Sequence, residues 1–191
     1  MLVKISPELK SAILALPERE KEKLLMRLIR KDKTLINQLH FQLLEDEDDL
    51  EERRAKTLKH INSEINKIRN QGKKSEYYNP RELLLDLRSM SGFVNEHCLI
   101  TKDKPGEVEF RLYILSEIFS YAGRVFEYEN YANEKLLRYV TGRIKNIFTT
   151  YNKLHEDLQY DYKERINEVL KFAHSSAIKN YLKEMEIPKE V

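Results

Sequence analysis

The chain has 191 residues, of which 35% are charged and 41% are apolar. This balance excludes an intrinsically disordered protein and predicts a sizeable core beneath a heavily charged exterior. Its five glycines and five prolines fall below the usual roughly 7% and 5%, which disfavours turn-rich all-β folds and favours long helices.

Two sequence features bear on the compartment. The single cysteine cannot form an internal disulfide, and the first ten residues lack the apolar run of a secretion signal. The longest uncharged run, residues 34–44, has eleven residues, whereas a helix needs about 20 to cross a bilayer. The sequence therefore predicts a cytosolic protein that does not use a membrane as a partner.

The first helices are marked by their starting residues. Ser6 followed by Pro7 is a typical N-cap and first helical residue, and Pro17 repeats the signal. Asp32 or Thr34 then begins a third helix, which is expected to form a helical hairpin with the second. The apolar face predicted for this third helix consists of Ile36, Leu39 and Leu43.

An abrupt reversal of charge follows these helices. Residues 45–52 carry seven acids and no base, whereas residues 53–74 carry eight bases and one acid. Carboxylates near a helix N-terminus interact favourably with the macrodipole, so the acidic run is predicted to begin the fourth helix. Gly72 is expected to end it. The predicted buried stripe of this helix consists of Leu50, Leu58, Ile61, Ile65 and Ile68.

The strongest boundary signal lies after Gly72. Asn79, Pro80 and Glu82 match a capping box at the start of a helix. The sequence predicts an N-terminal helical segment at 1–72 and a C-terminal helical bundle at 77–191, joined as one continuous globular unit. Helices are expected in the C-terminal bundle at 80–100, 106–127, 133–151 and 157–186.

The helix after Pro105 is apolar on two sides, which is typical of a helix packed from both sides. We therefore expect it to be the central helix of an antiparallel bundle. The predicted fold class is all-α, with seven or eight helices, and a solenoid-like arrangement of the helices stays open as an alternative.

The adjacent residues His97 and Cys98 raise the question of a catalytic thiol. At about 100° per residue, Cys98 falls on the apolar stripe of its helix and His97 lies about 100° away. The two side chains are therefore predicted to diverge, with the thiol in the core and the imidazole flanking the stripe. A nucleophilic cysteine needs an electropositive, partly open setting, so this pair predicts packing.

Known metal motifs are also incomplete. His155 and Glu156 begin a zinc-protease pattern, but Gln159 stands where the second histidine is required. No histidine has a carboxylate three residues before it, which a di-iron bundle requires. The sequence predicts no catalytic residue, no metal site and no cofactor.

Three surface features remain as candidate sites. The first basic face, on the fourth helix, consists of Arg53, Lys56 and Lys67, with His60 among them. The second basic face, on the helix at 133–151, consists of Lys135, Arg138 and Lys145. The polar stripe of the central helix, a candidate partner or ligand cleft, consists of Tyr113, Glu117, Ser120 and Arg124.

These features support two functional hypotheses. A helical protein without a catalytic motif and with a charged surface is typical of a non-catalytic protein–protein interaction or scaffold module. The alternative is a nucleic-acid-binding protein, because cations aligned on a helix face can neutralise successive phosphates.

Overall fold

The structure is a computed structural model that describes residues 4–74 and 78–191. In these ranges it contains nine α-helices, one 3-10 helix at Gly123–Phe126 and no strand, which confirms the all-α prediction. The α-helices are α1 (Pro7–Ala15), α2 (Glu18–Ile29), α3 (Lys33–Leu44), α4 (Glu47–Lys74), α5 (Pro80–Thr101), α6 (Lys104–Ala122), α7 (Glu134–Tyr151), α8 (Glu156–Ser175) and α9 (Lys179–Glu184).

The chain divides into two compact units, Met1–Glu45 and Asp46–Val191, called here the N-terminal and C-terminal units. This division lies earlier than the boundary expected between 72 and 77. The reason is that α4 packs against α5 and α6 and so shares their core. Gly72 does not end α4, which continues to Lys74.

Local caps define the helices of the N-terminal unit. Ser6 Oγ accepts a hydrogen bond from the Leu9 N–H at 3.2 Å, as predicted. Asp32 Oδ1 accepts from the N–H groups of Thr34 and Leu35 at 2.9 and 3.1 Å, so α3 begins at Lys33. None of the residues of α1, α2 or α3 is buried.

A reciprocal cap begins α4 within the acidic run. Asp46 Oδ1 accepts from the Asp48 and Asp49 N–H groups, and Asp49 Oδ2 accepts from the Asp46 N–H at 3.1 Å. At α5, Asn79 caps the Arg81 N–H as predicted, but the Glu82 carboxylate accepts from Gln71 Nε2. The reciprocal capping box thus forms at Asp46, where it was not predicted.

The C-terminal unit is built around α6, which packs against α4, α5, α7 and α8. Residues further along α4 pair with residues further along α6, so the two helices run parallel. Residues further along α4 pair with residues earlier in α5, so α5 is antiparallel to both α4 and α6. The prediction of a central helix packed from both sides is confirmed.

Two residues of the predicted buried stripe of α4 are not buried, namely Leu50, which is half-buried, and Leu58. Leu58 is 37% exposed, whereas Thr57 is 9% exposed and takes the place in the core that was assigned to Leu58. Burial of Thr57 is tolerated because its hydroxyl donates to the Arg53 carbonyl at 3.0 Å. Ile61, Ile65 and Ile68 are buried as predicted.

The last predicted helix, 157–186, is interrupted. α8 ends at Ser175, and the Ala177 N–H donates to the Phe126 carbonyl at 2.8 Å instead of continuing the helix. Ser176 Oγ donates to the Ala173 carbonyl at 3.0 Å, which satisfies the end of α8. A tertiary hydrogen bond therefore makes the break, without the glycine or proline that would have predicted it.

Candidate functional site

The N-terminal unit presents large apolar side chains to solvent. In its described residues, these side chains are between 41% and 74% exposed. Isolated exposed leucines are common on proteins, but eight of these nine side chains lie on three short helices in which no residue is buried. The N-terminal apolar surface consists of Ile5, Leu9, Leu14, Leu25, Met26, Leu28, Ile36, Leu43 and Leu44.

The first basic face lies on α4 but is not uniform. Lys56, His60 and Lys67 are exposed, whereas Arg53 is half-buried. Lys67 Nζ donates to Glu64 Oε1 at 2.7 Å, an exposed pair three residues apart. The geometry brings Arg53, Lys56 and His60 together and leaves Lys67 nearer the other end of the helix.

The second basic face lies on α7, where Lys135, Arg138 and Lys145 are all exposed. Arg138 Nε donates to Glu134 Oε1 at 3.0 Å, and its guanidinium lies 4.9 Å from the centroid of the Tyr181 ring. Arg138 thus has two interactions within the chain, so it is held in place.

The polar stripe predicted for the central helix is split, because Arg124 falls in the 3-10 helix that follows α6 and the other residues make different contacts. The Tyr113 hydroxyl donates to Asn62 Oδ1 at 2.7 Å, and Glu117 Oε2 accepts from Arg69 at 3.1 Å. These two residues therefore connect α6 to α4. Ser120 and Arg124 instead line a cleft of about 470 Å³, together with Tyr121, Gly123, Phe172, Ser175 and Ser176 among others.

A smaller cavity, of about 220 Å³, opens between α4 and α5 and is called here the α4–α5 cavity. Its walls combine cations, hydroxyl groups and one stacked ring pair, in which His60 and Phe93 have centroids 5.0 Å apart. The lining consists of Arg53, Lys56, Thr57, His60, Phe93, Glu96, His97, Ile100 and Thr101.

Beneath this cavity, a buried ion cluster joins three helices. Asp103, the N-cap of α6, accepts from Arg54 Nε and a second guanidinium nitrogen, both at 2.7 Å, and from the Gly106 N–H at 2.9 Å. His97 Nε2 lies 3.0 Å from Asp103 Oδ2. The cluster therefore fixes the starts of α4 and α6 against the end of α5.

The electrostatics of the cluster favour the charged forms. Burial by itself would raise the pKa of Asp103, but the hydrogen bonds from His97, Arg54 and Gly106 outweigh it and hold the pKa well below its usual range. The hydrogen bonds to Asp103 likewise hold the pKa of Arg54 above its usual range, against the effect of burial. Asp103 is thus an ionised carboxylate over the whole physiological range.

The side chains of His97 and Cys98 contact different neighbours, as predicted. The extent to which each side chain is buried differs from the prediction. His97 is 5% exposed and does not merely flank the stripe, because Asp103 supplies a buried partner for its ring. Cys98 is half-buried and packs against the core. Burial raises the pKa of the thiol to about 12, the opposite of the shift that a nucleophilic thiolate requires.

The Arg54–Asp103–His97 cluster was not predicted, although the sequence of α4 contains a pattern that indicates part of it. Arg54, Thr57, Ile61 and Ile68 follow the three-four spacing of the buried face of α4. An arginine at the end of such a stripe requires a buried carboxylate nearby. Which carboxylate it meets depends on the packing of α6, which no local pattern specifies.

Two searches of the described residues bear on other kinds of site. No three His, Cys, Asp or Glu side chains come together there as the ligands of a metal ion would. In the same ranges, no helix has the length and apolar character needed to cross a membrane.

Comparison with known proteins found no matching family model, no matching curated protein and no matching solved structure.

Proposed function

We propose that the chain is a non-catalytic helical interaction module whose N-terminal apolar surface binds another protein. The observation that carries this proposal is that no residue of α1, α2 or α3 is buried, while nine large apolar side chains of the unit's described part are exposed. Burying one leucine side chain contributes about 1.5–3 kcal/mol, so a partner that covers several of these side chains would bind with a large favourable free energy.

The charge of these helices indicates what kind of partner fits. Residues 1–44 carry nine Lys and Arg against five acids. A partner with an apolar patch bordered by carboxylates would complement both the side chains and the charge. A second copy of these helices would bring the same positive excess, so like charges would oppose self-association. We therefore assign the surface to a different protein with an acidic rim.

The test compares the full chain with two double variants. Leu25→Lys with Leu28→Lys alters the N-terminal apolar surface on α2, where these side chains are 57% and 51% exposed. Leu85→Lys with Leu99→Lys makes the same change on α5, at side chains that are 62% and 48% exposed. Each tagged chain captures proteins from source lysate with and without nuclease, and captured proteins are then purified and titrated directly.

We expect one acidic-rimmed protein to bind the parent chain and the α5 variant within about twofold of each other. The α2 variant should bind it at least about tenfold more weakly, because a loss of 1.4 kcal/mol already gives that factor. Equal binding by the α2 variant contradicts the proposal. Loss of the captured protein after nuclease treatment also contradicts it. So does a melting temperature of the α2 variant that is several degrees lower, because Leu25 and Leu28 would then contribute to the folded core.

A second candidate function is nucleic-acid binding, favoured by the convergence of Arg53, Lys56 and His60 at one cavity. The test is charge reversal at Arg53, Lys56 and Lys67 together, with binding to a mixed-sequence duplex measured at several salt concentrations. Loss of three phosphate contacts should lower the slope of log affinity against log salt by about 2.7. The melting temperature should change little, because substitutions at the surface usually have small effects.

The matched control reverses three other exposed cations, Lys163, Lys171 and Lys183. It makes the same change of net charge on the same unit but leaves the first basic face intact. A duplex that binds both triple variants as tightly as the parent chain would remove this second candidate. If both variants lose affinity equally, binding follows net charge and not a site. The second basic face is tested in the same way, by charge reversal at Lys135, Arg138 and Lys145.

A further inference from the structure

We infer that the α4–α5 cavity binds a phosphate group, held by Lys56 and Arg53 at its rim and by the His97 ring at its base. The inference concerns a small anion and rests on neither proposed function.

The protonation of His97 is constrained on one side. Asp103 accepts four hydrogen bonds, from two Arg54 nitrogens, the Gly106 N–H and the imidazole, which requires a carboxylate. A carboxylate only accepts, so His97 Nε2 must carry the proton of the 3.0 Å contact. The other ring nitrogen, Nδ1, lies next to Thr57, and both residues line the cavity.

That second nitrogen is poorly partnered inside the protein. Its contact is with Thr57 Oγ1 at 3.5 Å, at the outer limit of a hydrogen bond. The Thr57 hydroxyl already donates its proton to the Arg53 carbonyl at 3.0 Å. Since His97 is 5% exposed and lines the cavity, Nδ1 is a polar atom of a buried ring and has no strong protein partner.

The lining adds positive charge to this buried nitrogen. Arg53 and Lys56 both line the cavity, where one carboxylate, Glu96, opposes these two cations. The Thr57 and Thr101 hydroxyls already donate to the Arg53 and His97 carbonyls, so they offer acceptor oxygens to the cavity. With the ring proton on Nε2, Nδ1 can accept from the O–H of a phosphate that carries a proton, while Arg53 and Lys56 donate to the other phosphate oxygens.

Size limits what can enter. The cavity of about 220 Å³ is smaller than the roughly 300–1,000 Å³ of pockets that hold drug-sized ligands. It therefore suits a phosphate ion, or the phosphate of a nucleotide whose remaining atoms stay outside. The stacked rings of His60 and Phe93 at the rim offer a flat surface to a nucleobase in the second case.

The experiment titrates inorganic phosphate, and separately adenosine monophosphate, into the full chain at constant ionic strength. The readout is the ¹⁵N resonance of His97 Nδ1, which changes when that nitrogen gains a new hydrogen bond. The variants are Lys56→Met and Lys67→Met. Both remove one exposed lysine from the same face of the same helix, but of the two residues Lys56 is the one that lines the cavity.

We expect a saturable shift at His97 Nδ1 with both ligands. The affinity should fall at least about tenfold in Lys56→Met and less than twofold in Lys67→Met, because only Lys56→Met removes a charge-assisted hydrogen bond from the cavity lining. Tighter binding of adenosine monophosphate than of phosphate identifies a nucleotide as the source of the group, and the reverse order identifies the free ion.

Three results would overturn the inference. The first is the absence of a saturable shift at His97 in the parent chain. The second is an equal loss of affinity in both lysine variants, which would indicate general attraction of anions to a basic helix. The third is an equal response to sodium chloride in place of phosphate. Because no N-terminal residue is changed, the outcome is independent of the protein partner proposed above.

Discussion

The two units of this protein reach helical structure by different physical means. In the C-terminal unit, α6 is enclosed by four other helices, and Leu112 at its centre has no exposed surface. In the N-terminal unit, α1 and α3 begin at side-chain caps, and none of the three helices contains a buried residue. Helices of nine to twelve residues are marginal without packing, so the N-terminal unit is the part expected to gain order from a partner.

The largest expected effect is the difference in unfolding free energy lost when the same substitution, leucine to alanine, is made in each unit. Leu112→Ala removes a side chain with 0% exposure, whereas Leu43→Ala removes one with 74% exposure. The first should lower the free energy of unfolding by about 2–5 kcal/mol, because it leaves a cavity in the core. The second should stay within about 0.5 kcal/mol. Urea denaturation followed by circular dichroism measures both, and similar losses would mean that the N-terminal unit has a core.

A smaller effect is expected at the buried ion cluster. Asp103→Asn keeps an acceptor for Arg54 but removes the charge, and hydrogen bonds to charged groups are worth about 1.5–3 kcal/mol. We expect a loss of that size in the free energy of unfolding at pH 7. Asp161→Asn, at an exposed position of α8, is the matched control and should change little.

The pH dependence of this loss has a defined sign. The pKa of Asp103 is lower in the folded chain than the usual value of about 3.9. Its stabilising contribution is therefore fully present above that value and is lost as the pH falls towards the folded pKa. The difference between the parent chain and Asp103→Asn should narrow below about pH 4. A constant difference between pH 7 and pH 3 would show that the charge of Asp103 does not stabilise the fold.

The next effect is confined to the N-terminal unit. Asp32→Ala removes the carboxylate that accepts from the Thr34 and Leu35 N–H groups, which should cost about 1 kcal/mol. Hydrogen exchange should become faster for the amides of α3 and stay unchanged in α5 and α6. Asp32→Asn keeps the capping oxygen and is the control. Faster exchange throughout the C-terminal unit would contradict the separation of the two units.

The parts of the fold that local chemistry determines were predictable from the sequence. Ser6, Asp32 and Asn79 cap helices because a short polar side chain reaches its own backbone, with no help from distant residues. The two apolar sides of α6 likewise predict its central position, since both need to be covered. Spacing along a helix is sufficient for features of this kind.

The parts that failed depend on contacts between helices. The end of α8 is set by the Phe126 carbonyl, and the burial of His97 is set by Asp103 on the next helix. Thr57 replaced Leu58 in the core because the orientation of α4 favoured one neighbour over the other, and a hydroxyl bound to its own helix is cheap to bury. The α4–α5 cavity was unforeseen for the same reason, although Arg53, Lys56 and His60 had been placed on one face.

The smallest expected effect comes from exchanging glycine and alanine within a helix. Gly92 is exposed within α5, and a Cβ added there would meet no atom within 4 Å. Gly92→Ala should therefore raise the free energy of unfolding by about 0.5–1 kcal/mol, because it removes the backbone freedom of glycine without a clash. Gly142→Ala on α7, where the added Cβ also meets no atom, should act similarly.

The reverse substitution, alanine to glycine, in the N-terminal unit is the variant to compare with Gly92→Ala. Ala12→Gly alters an exposed residue within α1 and carries the same intrinsic cost of about 0.5–1 kcal/mol. Because α5 unfolds together with the core, Gly92→Ala should shift the urea midpoint of the main transition. Ala12→Gly should leave that midpoint unchanged and raise only the exchange rates of the α1 amides. A shift of the main transition by Ala12→Gly would show that α1 unfolds with the C-terminal core, and the two units would then be one cooperative structure.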